Sequence, residues 1–254
     1  MHREYSYAIF PLTSASRASW RRHMPWLAGV DGCKAGWVAA LLNTRSGALR
    51  LELHPAFAAI VSSSYRPAVI AVDMPIGLPS VSAPRRACDA EARKLLGPRR
   101  SSIFSPPLRE VVALGDYAKA NALSRRLSGL GLSKQAFFLM PKIREVEAVL
   151  LSRPACAIRE CHPELAFVAM NAGVPLVSSK RTPSGERRRR ALLARYLGPF
   201  AAKAPLHYPG LLPDDILDAL ACLWSARRIF QGAARALPRS PECDAMRLPM
   251  EISF

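Results

Sequence analysis

Five carboxylates stand where an apolar stretch ends or a helix begins: Asp31, Asp73, Glu160, Asp215 and Asp218. Asp31 interrupts the apolar run WLAGVDGCKAGWVAALL, residues 26 to 42, with Val30 before it and Gly32, Lys34 and Gly36 after it. Asp73 closes the β-rich run in PAVIAVDMPIGLP, residues 67 to 79, and Glu160 closes ACAIRE, residues 155 to 160. Asp215 and Asp218 are three apart in PDDILDALACLWSARRIFQG, residues 213 to 232, which puts them on one side of a helix. An ionised carboxylate in an apolar strand costs on the order of several kcal/mol unless a cation or hydrogen bonds compensate it. Something positive is therefore expected beside Asp31. Clustered carboxylates repel one another and present hard oxygen donors, a set suited to Mg²⁺ or Mn²⁺. Two such ions about 4 Å apart can hold a scissile phosphate, activating water on one side and stabilising the leaving oxygen on the other.

Each acid also has a plainer reading. Asp-Gly is a common hairpin turn, which accounts for Asp31 taken alone. Glu160 followed by His-Pro can simply cap the next helix. Acids in a first helical turn favour the dipole, which explains Asp215 well and Asp218, a turn further in, less well. Two buried strands each ending in Asp shift the balance, because ligands of open α/β sheets collect at strand carboxyl ends.

The elements that must position these acids follow from the patterning. Residues 26 to 31, 36 to 43 and 48 to 54 read as three antiparallel strands, with a turn at Asn43 to Gly47 and a short helix over Pro55 to Ser63. The strand ending at Asp73 is expected to pair back into the sheet, parallel to the first. Ser82-Ala83-Pro84 then opens a basic helix that stops at Gly97-Pro98. Residues 98 to 115 form a Pro-rich loop, and helices follow over 116 to 128 and 134 to 150, the second with a kink at Pro141. A strand at 155 to 160 leads to a helix over Pro163 to Asn171. The run KRTPSGERRRRALLARY begins a helix with Arg187 to Arg190 near its start. In the last helix, Ala221, Cys222 and Ser225 lie beyond Asp218 and are small enough to let it approach the sheet. A Pro-rich tail ends in an edge strand within Arg247 to Phe254.

The 254 residues, half of them hydrophobic, suffice for one large domain over 24–254, with a helical insertion at about 80–150. Residues 1–23 carry four arginines and one acid, Glu4, and read as a disordered extension, a transit-like peptide or a start codon set too early before Met24. No stretch reaches the ~18 apolar residues of a membrane span. Six cysteines without a C-x-x-C pair read as reduced, mostly buried thiols of a cytoplasmic protein. A net charge of +17 attracts polyanions, nucleic acid first among them, although a basic surface can also reflect a preference for Arg in composition.

Three antiparallel strands, a fourth strand, further strands with helices and a terminal acidic helix follow the order of the ribonuclease H-like fold. More narrowly, the chain resembles the DUF429 family, predicted RNase H-like nucleases related to the Holliday-junction resolvase superfamily. The stretches that carry the resemblance are VDGCKAGWV, AVDMPIGLP, the R-x-x-C-D-x-x-A-R run from Arg85 to Arg93, PKIREVE, ECHPELAF, SKRTPSGERRR and DDILDAL, in that order from residue 28 to about 228. The resemblance implies an α/β fold with a mixed five-stranded sheet flanked by helices. It also implies a hydrolase acting on DNA or RNA with Mg²⁺ or Mn²⁺, and it admits a homodimer of the resolvase kind. In that reading Asp31 bridges two ions, Asp73 and Glu160 hold one, and Asp218 with Asp215 holds the other. Lys34, Arg85, Lys142, His162, Lys180 and Arg188 are the expected substrate contacts, positioning phosphates without reading sequence. Two other classes compete: a non-catalytic nucleic-acid-binding module of the same fold, and a phosphotransferase of the actin and sugar-kinase kind, which would need two such lobes.

Overall fold

The apolar residues on either side of Asp31, from Trp26 to Leu42, build the centre of the sheet. In the computed structural model, which describes residues 25–203 and 210–254, β1 (Trp26–Cys33) and β2 (Gly36–Asn43) form an antiparallel hairpin, and β3 (Leu49–His54) pairs antiparallel with β2. The expectations for residues 1–23 lie outside the described residues. A short helix α1 (Phe57–Val61) leads to β4 (Val69–Val72), which runs parallel to β1. The helical insertion follows: α2 (Ala87–Leu96), a 3-10 helix (Gly97–Ser102), α3 (Tyr117–Ser128) and α4 (Lys134–Leu151). Then β5 (Ala157–Glu160) joins parallel to β4, giving the order β3-β2-β1-β4-β5. Helices α5 (Pro163–Met170), α6 (Pro183–Leu197), α7 (Pro199–Lys203) and α8 (Pro213–Gln231) complete the layers. A separate two-stranded sheet pairs β6 (Ala236–Leu237) with β7 (Ile252–Ser253). This is the ribonuclease H-like α/β fold expected from the order of elements.

Strand periodicity sorts the core into two faces. Leu27, Val69, Ala71, Ala157 and Cys161 face the layer built by α5, α6 and α8, whereas Ala28, Val30, Ile70, Val72 and Ile158 face α1, α3 and α4. Helix α8 is buried without interruption from Ile216 to Ala226 and lies directly on β1. A Cβ at Gly29 would stand 1.9 Å from the Leu223 backbone nitrogen and 2.2 Å from the Ala219 carbonyl oxygen. Glycine is thus required there for the helix to reach the sheet, and that contact carries Asp218 toward β1.

Some boundaries differ from the sequence expectation. Ser80 and Ala83 close a turn on each other's backbone at 3.1 Å, so the basic helix starts at Ala87 and not at Pro84. The start of the loop expected over 98 to 115 belongs to a 3-10 helix, Gly97–Ser102, and α4 runs through Pro141 to Leu151. The edge strand expected in 247–254 shortens to Ile252–Ser253, because Asp244 captures the tail: its carboxylate accepts from the backbone of Leu78, Met246 and Leu248 and pairs with Arg109. All six cysteines are free; Cys33, Cys88, Cys161 and Cys222 are buried.

Candidate active site

Register decides which acids meet. Val30 is level with Val72, and Val72 with Glu160. The next residues along, Asp31, Asp73 and Cys161, are again level: the Asp73 N–H donates to the Val30 carbonyl and the Cys161 N–H to the Val72 carbonyl, both at 2.9 Å. Adjacent strands are about 4.8 Å apart, so Asp31 and Asp73 are neighbours at the carboxyl edge of the sheet, on the side that α8 covers. Asp218 reaches the same place from α8.

These three acids are poorly compensated. Burial, then the charges of Asp73 and Asp218, push the Asp31 carboxyl well above the usual carboxylate range, and Lys180 only partly offsets this. Burial raises Asp73 to about 7, against the opposing pull of Lys180. Asp218, also driven by burial, reaches about 7 although Lys180 bonds it. Asp31 keeps one internal donor, the Gly32 N–H at 2.7 Å from its Oδ1. The cation expected beside Asp31 is Lys180, which pairs with Asp218 and lies 3.7 Å from Asp214. A tight turn holds it there, with the Thr182 backbone and hydroxyl both bonded to the Ser179 carbonyl. Burial lowers the Lys180 ammonium's pKa, but Asp218, Asp31 and Asp73 together outweigh that and raise it.

The remaining expected site residues divide. Glu160, off by one residue from Asp73 and Cys161, points to the opposite face of the sheet, where Arg86 pairs with it and the Ile76 N–H donates at 2.7 Å. It is taken up by Arg86 and is not among the charges that bear on Asp31, Asp73 and Asp218, although Asp73 and Glu160 line one cavity together with Arg86, Asp89 and His162. Asp215 is half-buried, and its Oδ2 accepts from the Leu212 N–H at 2.8 Å, closing the start of α8. It serves as the helix cap and still lies close enough to Asp31 to add to its charge burden.

His162, expected on substrate, caps α5: its Nδ1 accepts from the Glu164 N–H at 3.2 Å and its Nε2 lies 3.3 Å from the Ser102 carbonyl. Burial lowers its pKa, keeping the ring neutral. Lys142 lies on the hairpin, its Nζ donating to the Gly36 carbonyl at 2.5 Å. Lys34 is exposed in the hairpin turn and Arg85 is exposed, whereas Arg188 is exposed but donates to Asn171 Oδ1 at 3.0 Å. The neighbours Arg86 and Arg189, not Arg85 and Arg188, are the buried guanidiniums.

Sequence reasoning missed Glu164, and it took Arg189 with the rest of Arg187 to Arg190 as a phosphate contact. Arg189 donates to both Glu164 oxygens, at 2.7 and 2.8 Å, and the Glu164 charge adds to the burden on Asp73 and Asp218. A signal was present: Gly185, Arg189, Leu192 and Leu193 share the buried side of α6 at helical spacing.

The donor set fits a hard divalent cation. Two buried carboxylates, Asp31 and Asp218, and the half-buried Asp73 face one ammonium, which leaves a negative excess of oxygen ligands. Among the described residues no group of three His, Cys, Asp or Glu side chains is placed to hold a metal ion, and the Asp218 carboxylate is paired with Lys180.

The raised pKa values make stability depend on pH. Between about pH 4 and pH 7 the folded protein holds protons at these acids that the unfolded chain has lost, so their stabilisation is complete at the acid end and disappears as pH rises. Melting curves in EDTA should show Asp31→Asn gaining on wild type steadily over that range. A constant difference between the two proteins would mean that the acids do not burden one another.

A family model described as "Protein of unknown function (DUF429)" matches residues 29–243. No curated protein and no solved structure matches the chain. With the match spanning most of its length, the chain belongs to the DUF429 family.

Proposed function

We propose that the chain is a divalent-metal-dependent nuclease that hydrolyses phosphodiester bonds of nucleic acid in the cytoplasm. The observation that carries this reading is the trio of buried Asp31 and Asp218 with half-buried Asp73 at the carboxyl edge of adjacent parallel strands, with Lys180 as the ammonium among them. Mg²⁺ or Mn²⁺ bound there would supply Lewis acidity and lower the pKa of water at neutral pH. Asp31, central between β4 and α8, offers its carboxylate to both sides, and the Gly32 N–H fixes its orientation. Lys180, released from Asp218, would turn its ammonium to a phosphate oxygen. Lys34 and Lys142, at the hairpin beside this edge, would hold flanking phosphates. The net charge of +17 draws the polyanion to the protein.

A second reading has one observation in its favour. The Lys180–Asp218 pair already offsets part of the charge without a metal, as suits a non-catalytic nucleic-acid-binding module. Labelled single-stranded, duplex, RNA–DNA hybrid and four-way-junction substrates, each incubated with Mg²⁺, Mn²⁺ or EDTA, separate the two. The nuclease reading expects cutting of at least one substrate with metal and none in EDTA. Salt-sensitive binding without any cutting would transfer the site to the binding-module reading.

A further inference from the structure

On α4, Lys134, Phe138 and Lys142 recur every four residues and so share one side of the helix. The far part of that side is fastened to the β1–β2 hairpin. Lys142 bonds the Gly36 carbonyl, and its Nζ lies 4.4 Å from the centre of the Trp37 ring. Glu145 Oε2, nearly a turn onward, accepts from Trp37 Nε1 at 2.8 Å and from the Phe57 N–H at 3.0 Å. The path from Lys142 to Glu145 therefore runs from the hairpin turn back along β2. Travelling the other way, the same side of α4 leads away from β2 toward Phe138. Phe138 stands about 6 Å beyond Lys142 along the axis and is 71% exposed.

Its ring is backed and not free to fold away. Phe137 lies edge-on to it with ring centres 5.7 Å apart, and Tyr117 lies edge-on to Phe137 at 5.4 Å. A single exposed apolar side chain needs no explanation. An exposed ring with a supporting aromatic ladder, set between Lys134 and Lys142, is different: cation, ring and cation alternate along one line. The acid on this side, Glu145, is occupied by Trp37 and Phe57.

We infer that Phe138 is a stacking platform for an unpaired nucleobase, with Lys134 and Lys142 taking the phosphates on either side. Bases inside a duplex are already stacked, so the ligand class is nucleic acid with a single-stranded segment. This inference rests on the nucleic-acid reading of the site and narrows it.

The test is fluorescence anisotropy of short labelled oligonucleotides in EDTA, where no metal-dependent cutting occurs. Phe138→Ala should weaken single-strand binding about tenfold and leave a blunt duplex of equal length unaffected. Phe138→Trp should keep wild-type affinity, with its indole fluorescence quenched by the oligonucleotide. Equal single-strand affinity for Phe138→Ala and wild type, an equal loss on duplex, or no binding by wild type would each overturn the platform. Self-association lost in Phe138→Ala with oligonucleotide binding intact would assign the ring to a second copy and overturn it as well. Cleavage with Mn²⁺ is read separately. Metal-dependent cutting with wild-type binding by Phe138→Ala removes the platform and keeps the nuclease, and selective binding loss with no cutting by wild type does the reverse.

Discussion

Asp31→Asn is expected to lower metal-dependent cleavage by about a thousandfold or more, while the protein stays folded in EDTA. Outer-shell partners of a metal typically account for about 10- to 100-fold of affinity or activity, and a ligand between two sets of carboxylates must exceed that. The amide keeps the size of the side chain and can still accept the Gly32 N–H through its oxygen, so the backbone of β1 has no reason to move. What it removes is a charge that Asp73 and Asp218 both oppose. Loss of activity and a gain in metal-free stability should therefore appear in one variant. Single-turnover cleavage and denaturant unfolding measure the two, and full activity in folded Asp31→Asn would exclude this carboxylate from the chemistry.

The largest structural effect is expected away from that trio. Arg189 has no solvent exposure, and besides its two bonds to Glu164 it donates to the Ser178 carbonyl at 2.9 Å and the Gly185 carbonyl at 3.1 Å. Arg189→Ala strands a buried carboxylate that, among the described residues, keeps only Arg99, at 3.5 Å, and such a break typically costs about 3–5 kcal/mol. Urea unfolding should show a loss of that size. Arg189→Lys should recover only part of it, because an ammonium cannot reproduce the forked contact with both oxygens. A loss below about 1 kcal/mol for Arg189→Ala would reduce the pair to the worth of a surface contact. The consequence reaches the active edge, since the Glu164 charge bears on Asp73 and Asp218 and Arg189 is its main counterion.

Which acids could meet was largely legible, and which did meet turned on one residue of register. Asp31 and Asp73 stand out because each is a lone charge against continuous apolar residues, and parallel pairing of their strands brings them level. Glu160 carries the same sequence mark. Its strand pairs so that Cys161, and not Glu160, is level with Asp73, and a period of two then turns Glu160 to the other face. Nothing local in ACAIRE records that offset. The cap of α5 was anticipated at the Glu160 step, but His162 supplies it.

The basic residues show a similar limit. Counting charges in RRRR identifies an anion-seeking surface, whereas the helical period singles out Arg189 as the one that faces inward. At Arg85 and Arg86 the choice follows from where α2 starts, three residues later than Pro84, which the turn between Ser80 and Ala83 imposes. Asp218 was legible for a further reason. Small residues follow it on α8, and Gly29 on β1 lies against Ala219 and Leu223, so helix and sheet touch, and an acid beside that contact meets the ends of the strands.

The most direct measurement is calorimetric titration of Mn²⁺ into wild type and Asp31→Asn, at a pH above the value of about 7 reached by Asp73 and Asp218. A shared carboxylate site predicts saturable binding by wild type, weakened at least about tenfold in the variant and accompanied by proton release that fades as pH rises. No binding by wild type, or equal binding by both proteins, would contradict a metal site built on Asp31.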